Sequence, residues 1–353
     1  GRPPEKGRPR RRLESLLEFT SADRFPEALR LFKRREDFKA AVGLLFEKRR
    51  PEQVHRLLSD AAESCINASI RRVLTSKPGL QSEPFQLLAL GRLGGREFSF
   101  QSDLDLVLLV DDENSIASLS DFQPLLQGLR RDLQEITSAG RAFQLDFRLR
   151  PEGRHGGEIV PLSAFRSYFR QRADSWELLA YVKARSVLAH RLDIVESGLL
   201  QSLLFSQDLD ADELDRVRRR KELEIGREAE RKLWDLKVGK GGLLDIQFVV
   251  QFLQILHQIY NPNLLSALSE LRKIGGIGKP GSRTLSEAAR VYHRVELVNS
   301  LFAPGERHLL SRQPGSHRRL AGFFGFTSEE RFMRKVGRLR EKVRGVYRGF
   351  FPV

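Results

Sequence analysis

Two aspartates at the start of an apolar segment are the residues of this chain best placed to do chemistry. Asp103 and Asp105 flank Leu104, and the run Leu104–Val110 is short, continuous and rich in Val and Leu, which predicts a buried strand. Because strand side chains alternate between faces, both carboxylates leave the same side. Two such carboxylates repel each other unless a hard cation lies between them. Mg²⁺ accompanying a phosphate substrate is the usual reason for this arrangement.

Two further features fit phosphate chemistry. The pair Gly94-Gly95 lies shortly before the aspartates, and glycines let backbone N–H groups approach phosphate oxygens closely. In the segment 143–150, apolar and polar residues alternate, which predicts a third strand with one polar face. Asp146 shares that face with Arg148 and Arg150, which have the geometry to bind phosphates bidentately.

Each feature alone has an ordinary structural interpretation. A glycine pair is typical of a turn, an Asp-x-Asp is typical of a solvated strand edge, and an Asp-x-Arg-x-Arg is typical of surface salt bridges. Their combination in this order favours a catalytic site.

The combination resembles the nucleotidyltransferase superfamily that includes DNA polymerase beta. Within it, the chain resembles one catalytic half of the bifunctional glutamine synthetase adenylyltransferase/adenylyl-removing enzyme, from about Arg30 to about Phe351. Four segments carry this resemblance: GRLGGREFSFQSDLDLVLLV (Gly91–Val110), LDFRLRPEGRHGG (Leu145–Gly157), SWELLAYVKARSVLAH (Ser175–His190) and LKVGKGGLLDIQFVVQFLQ (Leu236–Gln254).

The resemblance implies transfer of AMP from ATP to a tyrosine of glutamine synthetase, with two Mg²⁺ ions. It implies that Asp103 and Asp105 bind both ions, and that Asp146 binds the nucleophile-side ion and accepts the proton of the attacking hydroxyl. The nucleotide-binding and phosphate-binding residues that it implies are Gly94, Gly95, Arg96, Ser102, Arg148, Arg150, Lys183, Arg185, Lys237 and Asp245. Expected partners are glutamine synthetase and a PII-type signalling protein.

For two of the segments that match the family, the sequence allows both a functional and a structural interpretation. Trp176, Glu177, Lys183 and Arg185 match its motif at the end of the catalytic domain. Lys183 and Arg185 stand two apart on a predicted helix, which gives them different faces and different functions; a surface pair is the alternative. The other segment, with Lys237, Gly241, Gly242 and Asp245, implies closure over the nucleotide, although a plain turn followed by a first-turn acid has the same pattern.

The chain departs from the family at Gln247, where an acid is usual, and at Leu244, where a polar residue is usual. Arg92 and Leu178 depart as well. The core motif is common to the adenylylating and the phosphorolytic removing halves, and the segments SDLDL, RLRPEG and ADSWELLAYVKAR favour the adenylylating one. Phosphorolytic removal, transfer to another acceptor such as RNA, and a non-catalytic nucleotide-sensing module stay open.

The net charge of +15 invites a nucleic-acid partner. Much of this charge lies in the proline-rich segment 1–12, which predicts a disordered arm. The basic run Arg216–Lys221 is typical of a solvated helix face, so nucleic acid is not the expected partner. No apolar run approaches the ~20 residues of a membrane span, and the single cysteine, Cys65, fits a helical core and a reducing cytoplasm. We expect a cytoplasmic protein.

The periodicities predict an α+β fold, in which a small mixed-sheet nucleotidyltransferase domain is embedded in a mainly helical chain with a C-terminal helical bundle. The expected organisation is a basic arm (1–12), N-terminal helices (13–76), the catalytic domain (77–192) and a bundle (193–353). Strands are expected over 85–90, 104–110 and 143–150, and helices over 119–138, 162–172, 175–190, 211–237, 243–260, 264–274, 284–302 and 328–351. The chain begins with Gly1 and has no internal repeat, which fits one half of a tandem enzyme.

Overall fold

A computed structural model describes residues 8–224, 233–303, 305, 307–311 and 315–351, and these divide into two compact units. Unit 1 runs to Ala173 and resumes over Lys183–Leu203. Unit 2 has Asp174–Val182 and the described residues from Leu204 onward. The domain boundaries at residues 76 and 192 stay predictions.

Helices account for most of the described chain and confirm the α+β class. The helices are α1 (Arg8–Leu17), α2 (Phe25–Leu45), α3 (Pro51–Ser76), α4 (Gly91–Gly94), α5 (Gln123–Leu129), α6 (Leu162–Gln171), α7 (Ser175–Tyr181), α8 (Leu199–Phe205), α9 (Ala211–Glu224), α10 (Leu243–Leu256), α11 (Leu264–Lys273), α12 (Lys279–Phe302), α13 (Arg318–Phe323) and α14 (Glu329–Arg348). A 3-10 turn over Leu119–Phe122 and a π turn over Arg130–Gln134 flank α5, so the helix predicted over 119–138 ends at Gln134.

A mixed sheet forms the centre of unit 1. Its strands are β1 (Phe85–Ala89), β2 (Leu104–Val110), β3 (Leu145–Asp146), β4 (Ile159–Pro161) and β5 (Arg185–His190). β2 pairs antiparallel with β1 and parallel with both β3 and β4, while β5 pairs antiparallel with the other edge of β1. In unit 2, β6 (Leu233–Asp235) pairs antiparallel with β7 (Leu309–Ser311).

The prediction of β2 as a buried strand is confirmed. Leu104 and the residues from Leu106 to Val110 have no exposed surface, whereas Asp105 is half-buried. Cys65, on α3, is also fully buried, and burial raises the pKa of its thiol. The expected core role of Cys65 is therefore confirmed, and its reactivity toward a thiol reagent can report the unfolding of unit 1.

Two predicted elements are wrong in extent or type. The strand expected over 143–150 is limited to Leu145–Asp146, because the Asp146 side chain accepts the Arg148 backbone N–H at 2.8 Å and turns the chain. The helix expected over 175–190 ends at Tyr181 and is followed by β5. Pairing with β1 outweighs the local helical pattern there.

Two other predictions need correction. Residues 8–12 of the predicted disordered arm belong to α1, and residues 1–7 lie outside the described part. The helix predicted over 211–237 ends within the described residues at Glu224; residues 225–232 are outside them, and Leu233–Asp235 is a strand. The predicted break at 239–242 is confirmed, since α10 begins at Leu243.

Among the residues that the structure describes, no helix is both long enough and apolar enough to cross a bilayer.

Candidate active site

The sheet register brings two of the three aspartates side by side. β2 and β3 run parallel, and Asp105 is the register partner of Asp146. Register partners on adjacent strands project to the same face, about 5 Å apart at the backbone. Asp103 precedes β2 by one residue and is exposed. The carboxylates of Asp103 and Asp105 therefore lie at the beginning of β2, and that of Asp105 is next to the Asp146 carboxylate on β3.

A cleft of about 420 Å³ opens beside these residues in unit 1. Three carboxylates, two amides, four arginines and two apolar residues line it, namely Asp103, Arg130, Gln134, Gln144, Leu145, Asp146, Phe147, Arg148, Arg150, Arg154 and Glu158. The cleft thus brings together Asp103, Asp146, Arg148 and Arg150, four of the residues predicted from the sequence to act on phosphate.

Arg148 is the cation nearest the aspartates. Its Nε lies 2.8 Å from one Asp146 carboxylate oxygen and 3.0 Å from the other, and its Nη2 also donates to Asp146. Burial raises the pKa of Asp146, but the hydrogen bonds from Arg148 outweigh it, and the net shift is downward. The hydrogen bonds to Asp146 raise the pKa of Arg148, and the charges of Asp105 and Asp103 add to that rise. The guanidinium therefore lies in the field of all three carboxylates.

The three carboxylates have the donor chemistry that Mg²⁺ prefers, because hard divalent cations bind oxygen ligands. Within the residues described, the side chains include no group of three or more His, Cys, Asp or Glu arranged to hold a metal ion. The Arg148 guanidinium pairs with Asp146 and supplies positive charge beside this carboxylate. The donor set and the register of Asp105 and Asp146 fit a divalent cation once Arg148 gives up its contact.

The glycine turn follows β1 directly and closes onto β2. A Cβ at Gly91, whose φ is +54°, would lie 2.1 Å from the Asp105 carboxylate, and a Cβ at Gly94 would lie 2.1 Å from the Lys183 carbonyl oxygen. The Gly94 and Gly95 N–H groups donate within the turn, to Leu90 O at 2.8 Å and Gly91 O at 3.2 Å. Glycine is required here for close packing of the backbone. The predicted phosphate contacts of Gly94 and Gly95 stay predictions.

Replacing Gly94 with alanine is expected to destabilise unit 1 by about 1–3 kcal/mol, because the new methyl group meets backbone that cannot rotate away. The urea dependence of Cys65 labelling measures this change. Gly79→Ala is the matched control, since a Cβ at Gly79 meets nothing within 4 Å. Equal stability of the two variants would contradict the tight packing of the turn.

Two predicted site residues after the turn contact protein groups. Arg96, with a positive φ of 55°, places Nη2 2.8 Å from Asp60 Oδ1 on α3. Ser102 accepts the Ser99 backbone N–H at 3.1 Å through its Oγ. Both residues thereby shape the segment between the turn and β2, and their phosphate-binding roles stay predictions.

Arg150 is the arginine of the cleft best suited to an anion. Its side chain is buried, with Nη1 2.6 Å from Phe147 O and Nε 3.0 Å from Gly156 O. Among the described residues it forms no ion pair, so its charge is held in place by carbonyl oxygens but not neutralised. A fixed, uncompensated guanidinium that lines a cleft is a strong phosphate donor.

Lys183 and Arg185 do not lie on a helix, so the argument from helix faces is wrong. Lys183 is buried and pairs with Glu97 at 2.7 Å. Arg185 begins β5, and its guanidinium contacts Glu63 and the carbonyls of the glycine turn. Sequence reasoning missed Glu63 and Glu97, because no local spacing connects either residue to β5.

Asp245 and Lys237 belong to unit 2 and are described there. Asp245 has no exposed surface; it accepts the Gly241 N–H at 2.8 Å and hydrogen bonds from Arg218 and Arg344 at 2.6 and 3.2 Å. The Lys237 backbone N–H donates to Asp235 at 2.6 Å. Arg218 itself is fully buried, so the prediction of a solvated face for the basic run is wrong at this residue. A nucleotide role for Asp245 and Lys237 stays a prediction.

Glu177 and Trp176 start α7, also in unit 2. The Glu177 carboxylate accepts the Asp174 N–H at 3.0 Å, which completes a capping box, and the Trp176 indole donates to Asp174 at 3.3 Å. These contacts fix the first turn of the helix.

Comparison with known proteins gives two family matches. Residues 3–196, more than half of the chain, match the model of glutamate-ammonia ligase adenylyltransferase, and residues 214–351 match the model of GlnD PII-uridylyltransferase.

Curated relatives carry the name bifunctional glutamine synthetase adenylyltransferase/adenylyl-removing enzyme. The protein from Bradyrhizobium sp. (strain ORS 278) is 31% identical over 80% of this chain and 31% of its own length. The one from Rhodopseudomonas palustris (strain ATCC BAA-98 / CGA009) is 30% identical over 80% and 31%, and the one from Caulobacter vibrioides is 31% identical over 74% and 28%. The chain spans about a third of the length of these relatives.

Proposed function

The chain belongs to the glutamate-ammonia ligase adenylyltransferase family, and from that premise we propose that it transfers AMP from ATP to a tyrosine of glutamine synthetase in a Mg²⁺-dependent reaction. The observation that carries the proposal is the in-register pair Asp105–Asp146 next to Asp103, at a cleft that also holds the uncompensated Arg150. We also propose that unit 1 has the nucleotidyltransferase fold of DNA polymerase beta. Its order of strand, glycine turn, strand, helix and strand supports this assignment.

The roles of the residues follow from their positions. Asp103 and Asp105 would hold both Mg²⁺ ions, and Asp146 would hold the ion on the nucleophile side. The ions neutralise charge on the reacting phosphate and on the pyrophosphate leaving group. Asp146 is also the base that accepts the proton of the tyrosine hydroxyl. Arg148 lowers the pKa of Asp146 against the effect of burial, and a bound cation would take over that stabilisation of the carboxylate once Arg148 has left.

Arg148 and Arg150 have different expected functions. Arg150 is fixed by the Phe147 and Gly156 carbonyls and binds phosphate oxygens without rearrangement. Arg148 is mostly exposed, and it must leave Asp146 before that carboxylate can bind a cation. Once released, its guanidinium can bind the triphosphate, whose charge then replaces that of Asp146.

Phosphorolytic removal of AMP from adenylylated glutamine synthetase is the second candidate. The printed names of the relatives include an adenylyl-removing activity. The same three carboxylates would serve either nucleotidyl transfer, to the tyrosine with release of pyrophosphate or from the modified tyrosine to phosphate with formation of ADP. The match of residues 214–351 to the PII-uridylyltransferase model supports regulation by a PII-type protein as a further proposal.

The test is incubation of the protein with α-labelled ATP, Mg²⁺ and purified glutamine synthetase, with and without phosphate. Label on the synthetase is the expected result. Phosphate-dependent release of ADP from adenylylated synthetase, without labelling, would assign the removing reaction instead. Binding of ATP without either reaction would favour a nucleotide-sensing module, and would direct attention to Gln247 and Leu244.

A further inference from the structure

The glycine turn is held by a layer of charged side chains on the side of α3. Arg185 Nε donates to Gly94 O at 3.2 Å, and its Nη2 donates to Leu93 O at 3.0 Å. The same Nη2 pairs with Glu63 of α3. These carbonyls lie at the C-terminal end of the short helix α4, where the Leu93 carbonyl also accepts the Arg96 backbone N–H at 3.1 Å. The planar donor group of arginine can bind neighbouring carbonyls and a carboxylate at once.

The chain segment that leaves the turn is tied to the same helix. Arg96 pairs with Asp60 at 2.8 Å and with Glu63 at 3.5 Å. Asp60 and Glu63 are three residues apart on α3 and therefore share a face. Glu63 thus connects Arg185, which donates hydrogen bonds to the carbonyls of the turn, to Arg96, which follows the glycine pair.

Charge is balanced in this layer. Arg96, Lys183 and Arg185 are matched by Asp60, Glu63 and Glu97, with the Lys183–Glu97 pair buried at 2.7 Å.

A matched set of ion pairs offers an incoming phosphate little net attraction. The uncompensated guanidinium of Arg150 in the cleft offers considerably more. Phosphate binding and support of the turn are therefore assigned to different arginines.

We infer that Arg185 is a positioning residue, which together with Glu63 fixes the Gly91–Gly95 turn against α3 and does not contact the nucleotide. The family resemblance implies a phosphate ligand at this position instead. The inference rests on the proposed nucleotidyl transfer for its kinetic consequence, but its structural content can be measured without any activity.

The experiment compares Glu63→Gln, Arg185→Gln and the double variant in the full chain. Amide hydrogen exchange of the peptide covering residues 90–97 is expected to become about 10-fold faster in each variant, because Arg185→Gln removes the charged hydrogen bonds to the turn and Glu63→Gln removes the carboxylate that holds Arg185 in place. The double variant should exchange no faster than Arg185→Gln, because both changes remove one connected unit. Arg166→Gln, which breaks an exposed pair with Glu113 in the same unit, is the matched control and should leave this peptide unchanged.

Nucleotide titrations and kinetics supply the second readout. We expect the Kd for ATP to stay within about 3-fold of the original protein in each variant, while kcat for AMP transfer falls about 10- to 100-fold as the turn loses its position. Arg185→Lys should not restore either exchange or kcat, since a lysine cannot bind both carbonyls and Glu63.

Other outcomes decide against the inference. A Kd for ATP that rises more than about 10-fold in Arg185→Gln but not in Glu63→Gln, with unchanged exchange, would make Arg185 a phosphate ligand. Restoration of ATP affinity by Arg185→Lys would support the same conclusion. If the original protein transfers no AMP, the proposed function fails, and exchange together with ATP affinity still decides the role of Arg185.

Discussion

Replacing Asp105 with asparagine is expected to lower Mg²⁺-dependent AMP transfer by about 1,000-fold or more, without loss of folded protein. Asparagine has the size and shape of aspartate, so its contact with Gly91 is kept. It lacks the charge that would hold a cation beside Asp146, and metal stabilisation of the transition state contributes several kcal/mol. Initial rates of labelling of glutamine synthetase, measured at saturating ATP, test this expectation.

Asp112→Asn is the matched control for this variant. Asp112 follows the opposite end of β2, where it accepts the Ser163 backbone N–H at 3.0 Å. Its amide substitution changes the formal charge equally but at a distance from the cleft-lining residues. Equal activity losses in both variants would show that net charge, and not the pair Asp105–Asp146, limits the reaction. Unchanged activity of Asp105→Asn would show that the Asp105 carboxylate is not required for the reaction.

The second large effect is on stability. Asp245→Ala is expected to lower the free energy of unfolding of unit 2 by up to about 3–5 kcal/mol, because it removes the fully buried one of the two carboxylates, Asp245 and Glu222, that the buried Arg218 and Arg344 share. The Gly241 N–H also loses its acceptor. Tryptophan fluorescence during urea unfolding measures the effect, since both tryptophans of the chain, Trp176 and Trp234, belong to unit 2.

Asp208→Ala, at an exposed position of the same unit, should change stability by less than about 0.5 kcal/mol. The comparison separates two roles for Asp245. A large loss of stability would support a structural role in the turn before α10. Normal stability combined with weaker ATP binding would instead support the nucleotide contact that family resemblance implies.

The parts of the site that the sequence predicts are those encoded by neighbouring residues. The apolar run of β2 identifies a buried strand, and the spacing of Asp103 and Asp105 then fixes which side the carboxylates leave. To place Asp146 beside Asp105, the prediction needs only one more strand, the one that contains Asp146. Each of these steps depends on periodicity over a few residues.

The missed features depend on contacts between distant segments. Glu63 contacts Arg185 because α3 packs against β5, and no sequence pattern near residue 63 predicts this ion pair. The sequence of β5 resembles the end of a helix. It forms a strand because its backbone pairs with the edge of β1. Arg218 lies in a basic run that is otherwise typical of solvent, and its burial is decided by Asp245, far along the chain.

The pairing of β5 with β1 also has a consequence for synthesis on the ribosome. Residue 86 of β1 pairs with residue 189 of β5. The ribosome therefore synthesises β5 about 100 residues after β1, which takes roughly 5–20 s at ordinary elongation rates. During that interval the edge of a strand that is fully buried in the folded protein is open to pairing with other chains. Nascent chains that stall before residue 185 should therefore aggregate or recruit chaperones more than those that have passed residue 190.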